Sequence, residues 1–171
     1  MGHSVYVHEV EFEPFDRGYL AEWLAHSKSE YIKERVAAGD TPDEARANAE
    51  ASTQRTFPEG SPAPGQLAGW LVWDGQRIGE LWVGPFSSDP ERWWVWDIRV
   101  DERFRGRGLG RQAMVLAEEL ARANGAVSIG LNVFAHNTKA RSLYASLGYL
   151  ENSIQMRKKV ARSSESEQKT G

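Results

Sequence analysis

Trp93-Trp94-Val95-Trp96-Asp97-Ile98-Arg99-Val100-Asp101-Glu102-Arg103-Phe104-Arg105-Gly106-Arg107-Gly108-Leu109-Gly110 is the stretch whose reading decides the fold. Its first half is aromatic and β-branched, which suits a pleated, half-buried strand. Its second half is a loop in which Gly106, Gly108 and Gly110 alternate with Arg107 and Leu109. A helix pattern follows at once, with Leu109, Ala113, Leu116, Ala117 and Leu120 at three- and four-residue spacing. A strand that feeds a glycine-rich loop into a helix N-terminus is an anion site, because backbone N–H groups there lack partners and the helix dipole is positive. Arg103, Arg105, Arg107 and Arg111 add positive charge to the same place. The stretch therefore reads as a diphosphate-binding loop. It is not a Walker loop, since Arg111-Gln112 follows Gly110 where Lys-Ser/Thr is required, and the glycine spacing is not that of a dinucleotide fingerprint.

Composition narrows the class. A chain of 171 residues with 40% hydrophobic content and seven Trp suits one domain with a sizeable core. The absence of cysteine excludes disulfides and thiol nucleophiles. No apolar run approaches membrane-spanning length and no signal-peptide pattern opens the chain, so a cytoplasmic protein without membrane contact is expected. A net charge of −3 argues against a nucleic-acid partner. His3, His8, His26 and His136 lack metal-ligand spacing, and no metal is expected.

The remaining chain alternates strand and helix signals. Val5, Val7, Val10 and Phe12 predict an edge strand over 4–12, and a helical pattern runs from Phe15 to Val36. Thr41-Pro42-Asp43-Glu44 predicts a capped second helix reaching about Arg55. Leu67–Trp73 and Arg77–Val83 are strands joined across Asp74-Gly75, a hairpin signal. After the central strand, 93–100, and the helix, 109–123, come a strand over Val127–Phe134 and a helix capped by Asn137. Tyr149–Val160 carries the last strand or strands. Residues 1–160 are expected to form one domain, and 161–171 a disordered tail rich in Ser, Glu, Lys and Gln.

Arg105-Gly106-Arg107-Gly108-Leu109-Gly110 fits the Arg/Gln-x-x-Gly-x-Gly/Ala loop with which acyl-CoA-dependent N-acyltransferases of the GNAT superfamily bind coenzyme A. A second stretch, from Asn132 through Asn137, Leu143 and Tyr144 to Leu147-Gly148-Tyr149, resembles the strand, Asn-capped helix and closing Leu-Gly-Tyr/Phe of the same family. The element order is similar as well, so the resemblance covers roughly residues 4–160. It implies an α/β single-domain fold with a mixed central sheet of about six or seven strands flanked by about four helices. It also implies an acetyl-CoA-dependent N-acetyltransferase acting on a primary amine, small or peptidic, in a ternary complex. A non-catalytic acyl-CoA-binding module on the same fold is the alternative.

The resemblance implies roles residue by residue. Backbone groups of Ile98, Arg99 and Val100 would face the pantetheine arm, with the Val100 N–H polarising the acyl oxygen. Amides from Arg105, Gly106, Arg107, Gly108, Leu109 and Gly110, with Arg111, would hold the pyrophosphate, and Asn137 would contact the same ligand. Tyr144 stands at the general-acid position. The general base is open. Other members carry a carboxylate where this chain has Asn132 or on the pocket-facing series Trp94, Trp96, Ile98, and none of these side chains takes a proton. Asp97, Glu80, Glu11 and a water chain remain, and strict alternation would turn Asp97 away from Trp96. Trp23, Tyr31, Trp70, Trp73, Trp82, Trp94 and Trp96 are either an aromatic wall for the amine or core and homodimer contacts.

Overall fold

The computed structural model describes residues 9–156 and 158. Five strands and four α-helices follow one another as β1 (Glu11–Pro14), α1 (Arg17–Ala37), α2 (Pro42–Thr56), β2 (Leu67–Trp73), β3 (Gln76–Pro85), β4 (Arg92–Val100), α3 (Leu109–Ala123), β5 (Ser128–Leu131) and α4 (Thr138–Ser146). They build one mixed sheet in the order β1-β2-β3-β4-β5. The first three pairings are antiparallel. The last, β4 with β5, is parallel, and α3 makes the crossover.

Local chemistry explains most of the boundaries. Asp16 caps α1 by accepting from the Tyr19 N–H at 2.9 Å. Thr41 and Glu44 exchange hydrogen bonds as a capping box, with Pro42 in the first turn of α2. The β2–β3 hairpin turns through Asp74 and Gly75, both at positive φ (51° and 69°), as the two-residue turn requires.

Each face of the sheet carries its own core. On one face Leu71, Ile78, Leu81, Val83, Trp93 and Val95 pack beneath the apolar stripe of α3. On the other, Leu20 and Trp23 of α1 pack with Phe57, Ala68 and Trp82. The two helical layers thus clamp β3 and β4.

Among the described residues the sheet has five strands, where six or seven were expected. Residues 149–156 form no strand, and Leu150, Ile154 and Met156 are exposed there. Glu151-Asn152-Ser153 interrupts the apolar pattern with residues poor in β propensity. The strand expected over Val127–Phe134 is cut to Ser128–Leu131. Residues 1–8 at the chain start, and 157 and 159–171 with the expected tail, lie outside the described residues.

Candidate active site

The site begins with an irregularity in β4. Val83 pairs with Val95, but Trp82 pairs with Asp97, so Trp96 has no cross-strand partner. Such a bulge shifts side-chain alternation by one. Asp97 therefore stands on the same face as Trp96, and not on the opposite face as alternation predicted. Ile98 is shifted the other way. Its side chain packs against the core under α3 and leaves the pocket-facing series to Trp94 and Trp96.

The same strand has an open edge. Pairing with β5 ends at Val95–Leu131, while β4 continues to Val100. The Asp101 N–H donates to the Ile78 carbonyl at 2.8 Å, toward β3. Alternation then turns the backbone groups of Val100 and Ile98 to the open side, and those of Arg99 toward β3. The Val100 carbonyl accepts from Arg105 Nε at 3.0 Å, which leaves its N–H facing the gap.

The gap leads to the glycine-rich loop. Gly106 and Gly108 have φ of 79° and 77°, a conformation that strains any side chain, and Gly108 is the residue before α3. The N–H groups of Arg111 and Gln112 return to the Gly108 carbonyl, at 3.1 and 3.3 Å. Those of Gly106, Arg107, Gly108, Leu109 and Gly110 take no acceptor among the described residues. A run of free amides at a helix N-terminus is an anion cradle. Phe104, buried, anchors the loop, and Arg103 and Arg107 lie over its ring at 4.8 and 5.8 Å. Arg111 reaches elsewhere: its guanidinium donates to Ser146 Oγ and ties α3 to α4.

Gly108→Val is expected to weaken coenzyme A binding at least tenfold in calorimetry while the protein stays folded. No heavy atom lies within 4 Å of an added Cβ, so the damage comes from strain at positive φ, of order 1–3 kcal/mol, and from a blocked approach to the amides. Unchanged affinity would remove the loop from ligand binding.

Helix α4 closes the site. Asn137 Oδ1 accepts from the Ala140 N–H at 3.2 Å as the N-cap, and its amide NH₂ remains to donate to a ligand. Tyr144, half-buried, lines the cleft with its ring 6.0 Å from that of Tyr149. Burial first, and the charge of Asp97 second, push its phenol above the ordinary value of 10.0.

The sequence profile of the Acetyltransferase (GNAT) family matches residues 18–149. The chain belongs to the GNAT acetyltransferase family. It is 32% identical over 155 residues to an uncharacterised N-acetyltransferase, YdgE, of Bacillus subtilis (strain 168), covering 89% of this chain and 94% of the relative. The crystal structure of YycN, an uncharacterised N-acetyltransferase of the same organism, superposes with a TM-score of 0.78 at 27% identity, covering 90% of this chain and 99% of YycN. An aminoglycoside N-acetyltransferase, AAC(6')-Iy, solved with coenzyme A, shares the fold at 18% identity, covering 92% of this chain and 100% of its own, with a TM-score of 0.52.

In this GNAT acetyltransferase the base candidates separate clearly. Glu11 is exposed on β1, at the far edge of the sheet from β5. Glu80 is 4% exposed, and both its oxygens are engaged: Oε1 accepts from Tyr19 Oη at 2.7 Å and Oε2 from Arg99 at 2.8 Å. Asp97 makes no ion pair among the described residues, and burial, then the neighbouring Glu80 charge, push its carboxyl up to about 6 against the opposing pull of Arg99 and of a hydrogen bond from the Ile98 backbone. It faces a cleft of about 1370 Å³ between α1, β4 and the β5–α4 loop. Among the described residues no group of three or more His, Cys, Asp or Glu gathers as a metal site, and no helix is long and apolar enough to cross a membrane.

The aromatic residues divide between the two roles. Trp23 is core, in contact with Phe57 and Trp82, and Trp70 packs between Phe15, Tyr19 and Arg77. Trp73 packs at the margin of the core under α3. Tyr31, Trp82, Trp94 and Trp96 line the cleft. Trp96 is a packed wall rather than an open slot, with Trp82 and Phe86 stacked at 5.4 and 5.8 Å and the Arg55 guanidinium 5.5 Å from its ring. Sequence reasoning missed Phe86, Tyr19 and Glu34, which also reach this region. Phe86, beside the Trp-rich strand, was the one with a readable signal.

Proposed function

We propose that this protein transfers an acetyl group from acetyl-coenzyme A to a primary amine by direct attack in a ternary complex. The observation that carries the reading is the β4 bulge. It puts the Asp97 carboxyl into the cleft, on the same five-residue run of open strand edge that presents the Val100 N–H.

Each residue then has a task. The free amides of 106–110 hold the diphosphate, and Ile98 and Val100 offer backbone partners to the pantetheine arm as an added strand would find them. Asp97 accepts a proton from the bound ammonium, which frees the nitrogen lone pair. A base of about 6 is mostly ionised at neutral pH and still basic enough to take that proton. The nitrogen bonds to the acyl carbon, and the charge that builds on the acyl oxygen is stabilised by the Val100 N–H. As the C–S bond breaks, Tyr144 gives its proton to the sulfur, and the second nitrogen proton restores the phenol. The net result is an amide, a free thiol and one proton, which Asp97 releases to solvent. Support for an amine acceptor comes from the names of the relatives and from the carboxylates of Asp97 and Glu34 in the cleft wall.

Acetyl-CoA incubated with a panel of primary amines is expected to release one free thiol per acetylated amine, read by thiol titration and mass spectrometry. Tight coenzyme A binding with no amine-dependent thiol release across the panel would leave a binding module and sink the proposal.

A further inference from the structure

Glu80 is a buried carboxylate to which the proposed mechanism gives no task. It stands 4% exposed in the middle of β3, where an apolar side chain would pack at no electrostatic cost. Two donors from two other elements converge on it, Tyr19 from α1 at 2.7 Å and Arg99 from β4 at 2.8 Å. Both oxygens accept, which is the pattern of an ionised carboxylate. Burial first, and hydrogen bonding to Glu80 second, hold the Tyr19 phenol up at about 12, so Tyr19 stays a donor.

The register explains what this charge is near. Glu80 pairs with Arg99 and Trp82 pairs with Asp97, so Glu80 and Asp97 are diagonal neighbours on one face. Asp97 thus has a fixed anion on one side and the Arg99 cation two residues along its own strand. The charged groups that act on it are Glu80 from β3, Arg99 from β4 and Glu34 from α1, the Ile98 backbone hydrogen-bonds its carboxyl, and Tyr144 of α4 lies within reach of its field. Of these, Glu80 and Arg99 are bonded to each other, and Tyr19 holds Glu80 in place.

We propose that Glu80 is a positioning residue: a buried negative charge, pinned between α1 and β4, that sets the pH range in which Asp97 works as the base. This rests on the assignment of Asp97 above. Removing the Glu80 charge favours ionised Asp97, so the acid limb of kcat/KM moves to lower pH. Removing the Arg99 charge disfavours ionised Asp97, so the limb moves to higher pH. A unit charge at roughly 7 Å, at an effective dielectric constant of about 40, shifts the limb by about one pH unit.

The experiment is the pH profile of kcat/KM for Glu80→Gln, Arg99→Gln and Asp97→Asn, with the amine that the thiol-release panel selects. The expected result is a downward shift in Glu80→Gln, an upward shift in Arg99→Gln and loss of the wild-type acid limb in Asp97→Asn. A tie that only holds α1 on the sheet would lower the melting temperature and leave the limb in place. A limb unmoved by both substitutions, or moved the same way by both, therefore overturns the proposal. The Arg99 side chain is 45% exposed, so Arg99→Gln keeps the test open if Glu80→Gln does not fold. If the limb survives in Asp97→Asn, it is the base assignment that fails, and the two failures are told apart.

Discussion

Asp97→Asn is expected to lower turnover by roughly 10²–10⁴-fold, the loss usual for a positioned base, while raising the melting temperature above neutral pH. Asparagine keeps the shape and cannot take a proton. The stability sign follows from the direction of the shift. The carboxyl is raised from 3.8 to about 6 in the folded protein, so ionising it there is costlier than in the unfolded chain. The folded state is favoured fully below the unfolded value, and that advantage is lost as pH rises through about 6. A neutral side chain removes the penalty, by about 2–3 kcal/mol at pH 8 and by nothing at pH 3. For a chain of this size that is a rise of several degrees. Calorimetry at the two pH values, beside single-turnover rates, checks both halves. A variant that loses activity and also loses stability at pH 8 would make Asp97 a structural residue instead.

Tyr144→Phe is expected to reduce turnover by roughly 10²–10⁴-fold with acetyl-CoA affinity little changed. The hydroxyl alone is removed, and the ring keeps its place beside Tyr149. In the proposed site affinity comes mainly from the loop amides and the open edge of β4, which Tyr144 does not supply. Because burial and Asp97 hold the phenol above 10.0, it stays protonated through neutral and mildly alkaline pH, and the wild-type rate should not fall there on its account. A core role predicts the opposite pattern, with reduced stability and near-normal turnover in the folded fraction. A Phe variant that retains half of wild-type turnover, with chemistry shown to be rate-limiting, would remove Tyr144 from the mechanism.

What the chain determined by itself is local. The capping box of Thr41 and Glu44, the Asp74-Gly75 hairpin, the Asn137 cap and the turn through Gly106 and Gly108 each rest on residues at most a few positions apart. Their dihedral preferences and side-chain bonds act before any tertiary contact forms, so they are legible in sequence. The glycine-rich loop belongs to this class, because its free amides come from a short run of backbone. The tertiary structure decided the rest. The bulge at Trp96 appears only when β3 and β4 pair, and it alone turns Asp97 into the cleft and Ile98 out of it. The Glu80 charge became a held anion only when Tyr19, 61 residues away, and Arg99, 19 residues away, met at it. The last strand was expected from an apolar pattern, yet a strand needs a partner edge as well, and Ser128–Leu131 offers only four residues to 149–156. Pairing, register and burial are properties of distant segments in contact, and a local reading of side chains does not contain them.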